Sequence, residues 1–294
     1  ANSFDKEKAV LKEIKFSLTS QLTTCIDPDE LKEEKKLGEG SFGVVYKGSL
    51  RGNTVAIKKM KTFAENNSQI NEFENKVDML NKFRSEYIVH FYGAVFIISK
   101  ICMVTEFAPF GSLQDLIENK KKDEIDMKLR VKFMKDGAKG VLYLHENGIL
   151  HRDIKPDNLL VFSFDINNRV NAKLTDFGSA RNVNMLMTNM TFTKGIGTPK
   201  YMAPEILERK KYKKPSDVYS FAVTMLTCFT WDNPFPKTLY PFAWSIADEI
   251  SAGNRPIAAD SIDKKYKEVI ENAWKQEPIE RSEISVVVQQ LELL

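Results

Sequence analysis

The stretch His151-Arg152-Asp153-Ile154-Lys155-Pro156-Asp157-Asn158 decides the fold, and eighteen positions after Asn158 begins Asp176-Phe177-Gly178. Two acids and an amide on neighbouring loops are what a site needs to hold a divalent metal against phosphates and set a hydroxyl beside them. Asp153 is placed to accept a proton, while Asn158 and Asp176 supply hard oxygen ligands of the kind Mg²⁺ prefers. A solvated charged turn has the same composition, so the rest of the chain has to decide between the two.

Outward towards the N-terminus, Asp126 to Asn147 carries apolar residues at helical spacing (Leu129, Phe133, Met134, Ala138, Val141, Leu142, Leu144) and stops at Asn147-Gly148. Before it, Ile101 to Gly111 reads as a buried strand entering an extended connector, and Ser112-Leu113-Gln114-Asp115 opens a helix with a good N-cap. Further back lies Leu37-Gly38-Glu39-Gly40-Ser41-Phe42-Gly43-Val44-Val45-Tyr46. A dinucleotide fold would open a helix directly after such glycines. Here β-branched and aromatic residues follow, then a turn at Arg51-Gly52-Asn53 and a second strand, Thr54-Val55-Ala56-Ile57-Lys58. That is a hairpin whose tip suits phosphates, because glycines let backbone approach them. Lys58 can bridge two phosphate oxygens as a compact point charge.

With this pair the chain resembles a eukaryotic protein kinase. The match runs from about Leu31 to Leu294 and holds the Gly-rich loop, strand lysine, His-Arg-Asp loop, Asp-Phe-Gly and Ala203-Pro204-Glu205 in the family's order. The resemblance implies an α+β, bilobal protein kinase fold with a small β-rich N-lobe bearing one helix and a larger α-helical C-lobe. The expected division is an N-terminal flank over 1–30, an N-lobe over 31–104, a hinge over 105–111 and a C-lobe over 112–294. Residues 1–22 have Val10, Leu11, Ile14 and Leu18 at helical spacing, which suggests a short amphipathic segment. Turn chemistry at Cys25-Ile26-Asp27-Pro28-Asp29 marks the start of the domain.

The same resemblance assigns roles. Leu37, Gly38, Glu39, Gly40, Ser41, Phe42, Gly43, Val45, Ala56, Lys58 and Leu160 fall to nucleotide binding. Adenine would bond to backbone at Glu106 and Ala108, with Thr105 as gatekeeper. Asp115 matches a ribose-contacting position, though an acid in a first helical turn equally serves the helix dipole. Asp153 is the implied base, Lys155 steadies the γ-phosphate, and Asn158 and Asp176 hold the metal. ATP and Mg²⁺ are the implied cofactors, with Mn²⁺ as the alternative ion, and protein hydroxyls the acceptors. Lys155, two residues beyond the base, and Thr198 before Pro199 favour serine/threonine. The surrounding texture, with Trp274 and Arg281, resembles the tyrosine-kinase-like group, so dual specificity stays open. His151 joins the hydrophobic column with Phe177, Leu80 and Phe91, Asp217 fixes the catalytic-loop backbone, Arg281 pairs with Glu205, and His145 is expected as a packed helix residue.

Two features are regulatory. Thr188, Thr191 and Thr193 lie in the stretch read as an activation segment. Phosphate on one of them would bring about −2 charge to the Arg152 guanidinium. Between Asn66 and Phe83, Ile70, Phe73, Val77, Leu80 and Phe83 recur at helical spacing, and the slot of the family's helix glutamate falls on Lys76. Two ammonium groups about 4 Å apart repel by roughly 4 kcal/mol at an effective dielectric near 20, so Lys58 and Lys76 cannot share the family's geometry. Three readings compete: Glu72, one turn away, reaches Lys58 after a helix shift; Lys58 pairs with Asp176 in an inactive arrangement; or the lysine is an engineered or damaging substitution. A pseudokinase acting as a nucleotide-responsive binding module is the rival function. A small-molecule phosphotransferase is disfavoured by the regulatory loop and the Ala203-Pro204-Glu205 segment.

Composition narrows the partners. In 294 residues, 43 basic and 40 acidic side chains leave +3, too mild to argue for nucleic acid, and Lys120-Lys121-Lys122 and Arg209-Lys210-Lys211 read as solvated faces. Cys25, Cys102 and Cys228 lack metal spacing and read as reduced cytosolic thiols. The most apolar run, Val218 to Phe229, is shorter than a membrane span and no secretory signal opens the chain. A cytoplasmic domain is expected, with a membrane involved only through a span outside this sequence, as in a receptor kinase.

Overall fold

Between Leu31 and Glu106 the chain builds one antiparallel sheet of β1 (Leu31–Gly40), β2 (Gly43–Leu50), β3 (Asn53–Met60), β4 (Phe91–Val95) and β5 (Cys102–Glu106), in the order β1-β2-β3-β5-β4. The structure is a computed structural model and describes residues 24–40, 43–60, 67–177, 180–182, 199–256 and 260–294. The amphipathic segment expected over 1–22 lies outside them, as do Ser41, Phe42, Thr188, Thr191 and Thr193. The chain forms two compact units, one running to Lys82 and resuming over Phe91–Phe107, the other comprising Phe83–His90 and Ala108–Leu294.

In the first unit the β2–β3 turn places Arg51 and Gly52 at φ 50° and 84°. That left-handed pair matches the twist of a two-residue hairpin. Along β3 the period of two buries Val55 and Ile57 on one side, with Ile26, Leu50, Val95, Cys102 and Val104. Ala56 and Lys58 therefore face the other side, where Thr105 and Met103 stand directly across from them on β5. Helix α1 (Asn67–Lys82) covers Met103's side through Phe73 and Val77, which pack with Phe91, Ala94, Phe96 and Ile101. The stretch before β1 belongs to the same unit. The Ala94 N–H donates to the Thr24 carbonyl and the Ile26 N–H to the Ala94 carbonyl, both at 2.9 Å. Asp27 caps the 3-10 turn Pro28–Glu30.

Phe83 departs from expectation. The helix ends at Lys82, and the Phe83 ring packs edge-on against Phe177 at 4.8 Å and Tyr143 at 6.2 Å, inside the second unit. An apolar residue at helical spacing satisfies the pattern whichever core it enters.

The second unit is built around α3 (Met127–Glu146) and α5 (Lys214–Thr230), with α2 (Leu113–Asn119), α4 (Pro204–Leu207), α6 (Ala243–Ser251), α7 (Lys264–Ala273) and α8 (Ile284–Glu292) around them. Asp126 caps α3, its carboxylate accepting the Leu129 N–H at 2.8 Å, and Asn147 closes it. From Ser216 to Thr230 every residue of α5 is buried. No described helix is long and apolar enough to cross a membrane, and the Ser and Thr hydroxyls of α5 bond to the carbonyls of its preceding turn. Two short antiparallel pairs complete the unit, β6 (Ile149–Leu150) with β9 (Arg181–Asn182) and the hairpin of β7 (Leu159–Val161) with β8 (Ala172–Leu174).

Candidate active site

Just past the Asn147 cap of α3, Gly148 at φ 68° turns the chain into β6 and the loop His151–Asn158. After the loop, β7 and β8 pair Leu159 with Leu174, so Asn158 and Thr175 meet at the open end of the hairpin. There the Thr175 N–H donates to the Asn158 carbonyl at 2.9 Å. Asp176 comes next, at φ 58°, a left-handed turn unusual for a non-glycine residue.

His151 is fully buried. Its Nδ1 accepts the Asp153 N–H at 3.3 Å, so Nε2 carries the ring proton and donates to the Thr175 carbonyl at 2.9 Å. The ring packs edge-on against Phe177 at 5.3 Å. His151 thus ties the loop to the strand leading into Asp176. Of the four residues expected in one column, His151 packs on Phe177 in the second unit, and Leu80 and Phe91 pack in the α1 cluster of the first.

Asp153 is half-exposed and its carboxylate is gripped from two sides. Lys155 Nζ lies 2.9 Å from Oδ2 and 3.0 Å from Oδ1, and Asn158 Nδ2 donates to Oδ2 at 3.0 Å and to the Asp153 carbonyl at 2.7 Å. These bonds consume the Asn158 amide nitrogen and leave its oxygen as the open face. An amide oxygen on the loop, with Asp176 next in the chain after Thr175, suits an ion that takes only one or two protein ligands and keeps waters and phosphates for the rest. Among the described residues, no group of three His, Cys, Asp or Glu forms a denser metal site.

Beneath the loop, Asp217 is wholly buried and takes four donors. Its Oδ2 accepts the His151 N–H at 2.9 Å and faces His145 Nε2 at 3.0 Å. Oδ1 accepts the Arg152 N–H at 2.9 Å and the Tyr212 hydroxyl at 2.7 Å. Burial by itself would raise this carboxyl's pKa; the hydrogen bond and charge of His145, with His151 and Tyr212, outweigh it and hold it below the usual range. The expected tie between Asp217 and the loop backbone is present, and His145 is part of it.

The segment Ala203-Pro204-Glu205 is locked by a buried bidentate pair: Arg281 donates to Glu205 at 2.7 and 2.8 Å, and Ser216 adds its hydroxyl at 2.7 Å. The other three N–H groups of Arg281 reach the carbonyls of Pro215, Lys275 and Gln276, so all five guanidinium donors are used.

The proposed nucleotide residues fall into two sets. In the first unit Val45, Ala56, Lys58 and Thr105 share one sheet face by register, the face that α1 also covers. Gly38 stands opposite Val45, and a Cβ there would meet nothing within 4 Å, whereas a Cβ on Gly43 would overlap the Lys59 carbonyl. Leu37 is exposed, Glu39 bonds Lys36 at 2.6 Å, and Glu106 pairs with Val55. Lys76 is buried on α1 next to Val77. In the second unit Ala108 precedes a connector laid along β7, with the Val161 N–H on the Gly111 carbonyl at 2.9 Å and Ser112 bridged to Leu160. Asp115 forms a reciprocal capping box with Ser112, the helix-end role of its two readings.

Sequence reasoning misses two groups. Asp136, an acid on the buried face of α3, accepts Lys132 Nζ at 2.7 Å and the Asn171 N–H at 2.7 Å, pinning the long connection between β7 and β8. Burial raises its pKa despite Lys132. Tyr212 is the other, and its only signal is a lone aromatic among Arg209, Lys210, Lys211, Lys213 and Lys214.

Comparison with known proteins agrees with this geometry. A family model described as Protein kinase domain matches residues 31–291. The chain is 35% identical over 285 residues to a probable serine/threonine-protein kinase, gdt9, of Dictyostelium discoideum, covering 87% of this chain and 18% of that protein. Against the serine/threonine-protein kinase STY17 of Arabidopsis thaliana the identity is 33%, covering 92% of this chain and 45% of that protein. Against the dual specificity protein kinase shkB of Dictyostelium discoideum it is 31%, covering 93% and 44%. The chain thus spans less than half the length of these relatives.

Proposed function

This chain belongs to the protein kinase domain family, and on that premise we propose that it transfers the γ-phosphoryl group of ATP to serine and threonine hydroxyls of proteins, with tyrosine as a secondary acceptor. The observation that carries this reading is the Asp153 carboxylate held between Lys155 and Asn158. Because the transition state of such transfers is loose, the protein mainly positions groups and offsets charge.

Asp153 orients the acceptor hydroxyl and takes its proton. Lys155, within 3.0 Å of that carboxylate, steadies the γ-phosphate and its developing charge. Asn158 Oδ1 and Asp176 would hold Mg²⁺, which would supply positive charge to offset that of the phosphates; Mn²⁺ would serve through the same oxygen ligands. Lys58 and the backbone of Gly38 to Gly43 fix the triphosphate, Glu106 and Ala108 offer backbone to adenine, and Leu37, Val45, Ala56, Thr105, Asp115 and Leu160 complete the nucleotide set. Arg152 would receive a phosphorylated Thr188, Thr191 or Thr193. We keep the division into N-lobe 31–104, hinge 105–111 and C-lobe 112–294, and place the domain in the cytoplasm. The pseudokinase alternative rests on Lys76 alone and is not favoured.

The acceptor class is tested by incubating the chain with γ-labelled ATP, Mg²⁺ and casein, then separating phosphoamino acids. Label on phosphoserine and phosphothreonine is expected. Label confined to phosphotyrosine would overturn the acceptor assignment, and no label above an Asp153→Asn control would overturn the enzyme.

A further inference from the structure

Two of the four donors on Asp217 are backbone N–H groups of the loop; the other two, from His145 and Tyr212, come from side chains that touch no reacting group. Tyr212 is the more informative, because its hydroxyl engages Asp217 and its ring engages Arg152. Its hydroxyl donates to Asp217 Oδ1, the oxygen that also accepts the Arg152 N–H. Its ring lies under the Arg152 guanidinium, 5.7 Å from centroid to Cζ, within cation–π range. Arg152 directly precedes Asp153 and sits at φ 68°. A side-chain-bearing residue holds that left-handed conformation only where its surroundings over-determine it.

Tyr212 is itself buried, though the five basic residues around it are exposed. Burial and the Asp217 charge push its phenol well above the ordinary tyrosine pKa, so it remains a proton donor across the working range.

We propose that Tyr212 is a positioning residue: its hydroxyl completes Asp217 and its ring holds Arg152, and together they keep Arg152 in the left-handed turn that presents Asp153. The effect on turnover rests on the kinase reading above, whereas the effect on the loop backbone does not.

The test compares wild type, Tyr212→Phe and Tyr212→Leu by steady-state kinetics, thermal unfolding and amide hydrogen exchange. Tyr212→Phe is expected to lose roughly tenfold in kcat, the worth of one buried hydrogen bond to a charged group, with the KM for ATP unchanged. Tyr212→Leu, which also removes the ring, should lose more. In both variants the His151 and Arg152 amides should exchange faster while those in the middle of α5 do not. Wild-type kcat and loop exchange in Tyr212→Phe would overturn the proposal. So would a kcat loss accompanied by faster exchange throughout the unit and a matching drop in Tm, which marks a general packing role. If wild type itself transfers no phosphate, the kinase reading fails and loop exchange alone decides the positioning role.

Discussion

Thr175 and Asn158 share a backbone hydrogen bond of 2.9 Å, and through it Asp176 follows at the end of the loop His151–Asn158. Asn158 and Asp176, eighteen positions apart in the chain, are brought to the same end of the hairpin because β7 and β8 pair Leu159 with Leu174. The two proposed metal ligands are thus set by strand register, and their oxygens need no dedicated cage.

Asn158 does two jobs in this arrangement, and substitution separates them. Asn158→Ala removes the proposed ligand oxygen and both bonds to Asp153, and a loss of about 10²-fold or more in kcat is expected. Asn158→Asp retains an oxygen ligand but places a second carboxylate close to Asp153, where the amide now sits at 3.0 Å. Its rate should also fall, while half-saturation by Mg²⁺ shifts to lower concentration. Rates measured against Mg²⁺ concentration decide this, and an unshifted Mg²⁺ dependence in Asn158→Asp would remove Asn158 from the ligand set.

Glu205 and Arg281 form the second tie. Removing one partner of a buried, fully bonded pair strands the other, so Arg281→Ala should cost about 3–5 kcal/mol in unfolding free energy. The pH dependence has a definite sign. Burial raises the Glu205 pKa, but Arg281 and Ser216 outweigh it and hold it below the ordinary value of 4.5. A depressed folded pKa means the contribution is complete above 4.5 and fades as pH falls through the lower folded value. Denaturant melts of wild type and Glu205→Gln should therefore differ most at neutral pH and converge in acid. A gap that widens as pH drops would contradict the assignment.

Lys76 is buried on α1, one residue before Val77 in the cluster that packs on the Lys58 face of the sheet. A lysine where the family carries a glutamate should hold basal activity down, and Lys76→Glu is expected to raise the rate of phosphotransfer at saturating ATP. An equal or lower rate, with the variant folded by thermal melt, would show that Lys76 does not limit turnover.

The parts of the fold legible in the sequence are those whose causes are local. Helix α3 is legible to within a residue at each end, because Asp126 and Asn147 cap it from adjacent positions. The Ser112 cap and the Arg51-Gly52 turn are legible for the same reason. The Asp217 tie and the Glu205–Arg281 pair are legible only through resemblance, since 76 residues separate the latter two. Tyr212 and Asp136 carry no motif; each acts through a partner that only the folded chain supplies. Gly43 shows a subtler limit. Its spacing reads as a phosphate-approach glycine, yet the adjacent strand alone already forbids it a Cβ, because the Lys59 carbonyl occupies that space. Phe83 fits the α1 stripe by spacing and joins a different core, beside Phe177.

Asp153 carries the central claim, and its isosteric amide tests it most directly. Asp153→Asn keeps the shape of a side chain that Lys155 and Asn158 hold at 2.9 and 3.0 Å, while removing its capacity to accept a proton. The measurement is γ-phosphoryl transfer from labelled ATP to protein in Mg²⁺, alongside ATP affinity by calorimetry. Wild type should transfer label, and Asp153→Asn should bind ATP comparably while losing about 10²-fold or more in rate. Transfer by Asp153→Asn at the wild-type rate, or none by wild type under conditions where it binds ATP, would contradict the account.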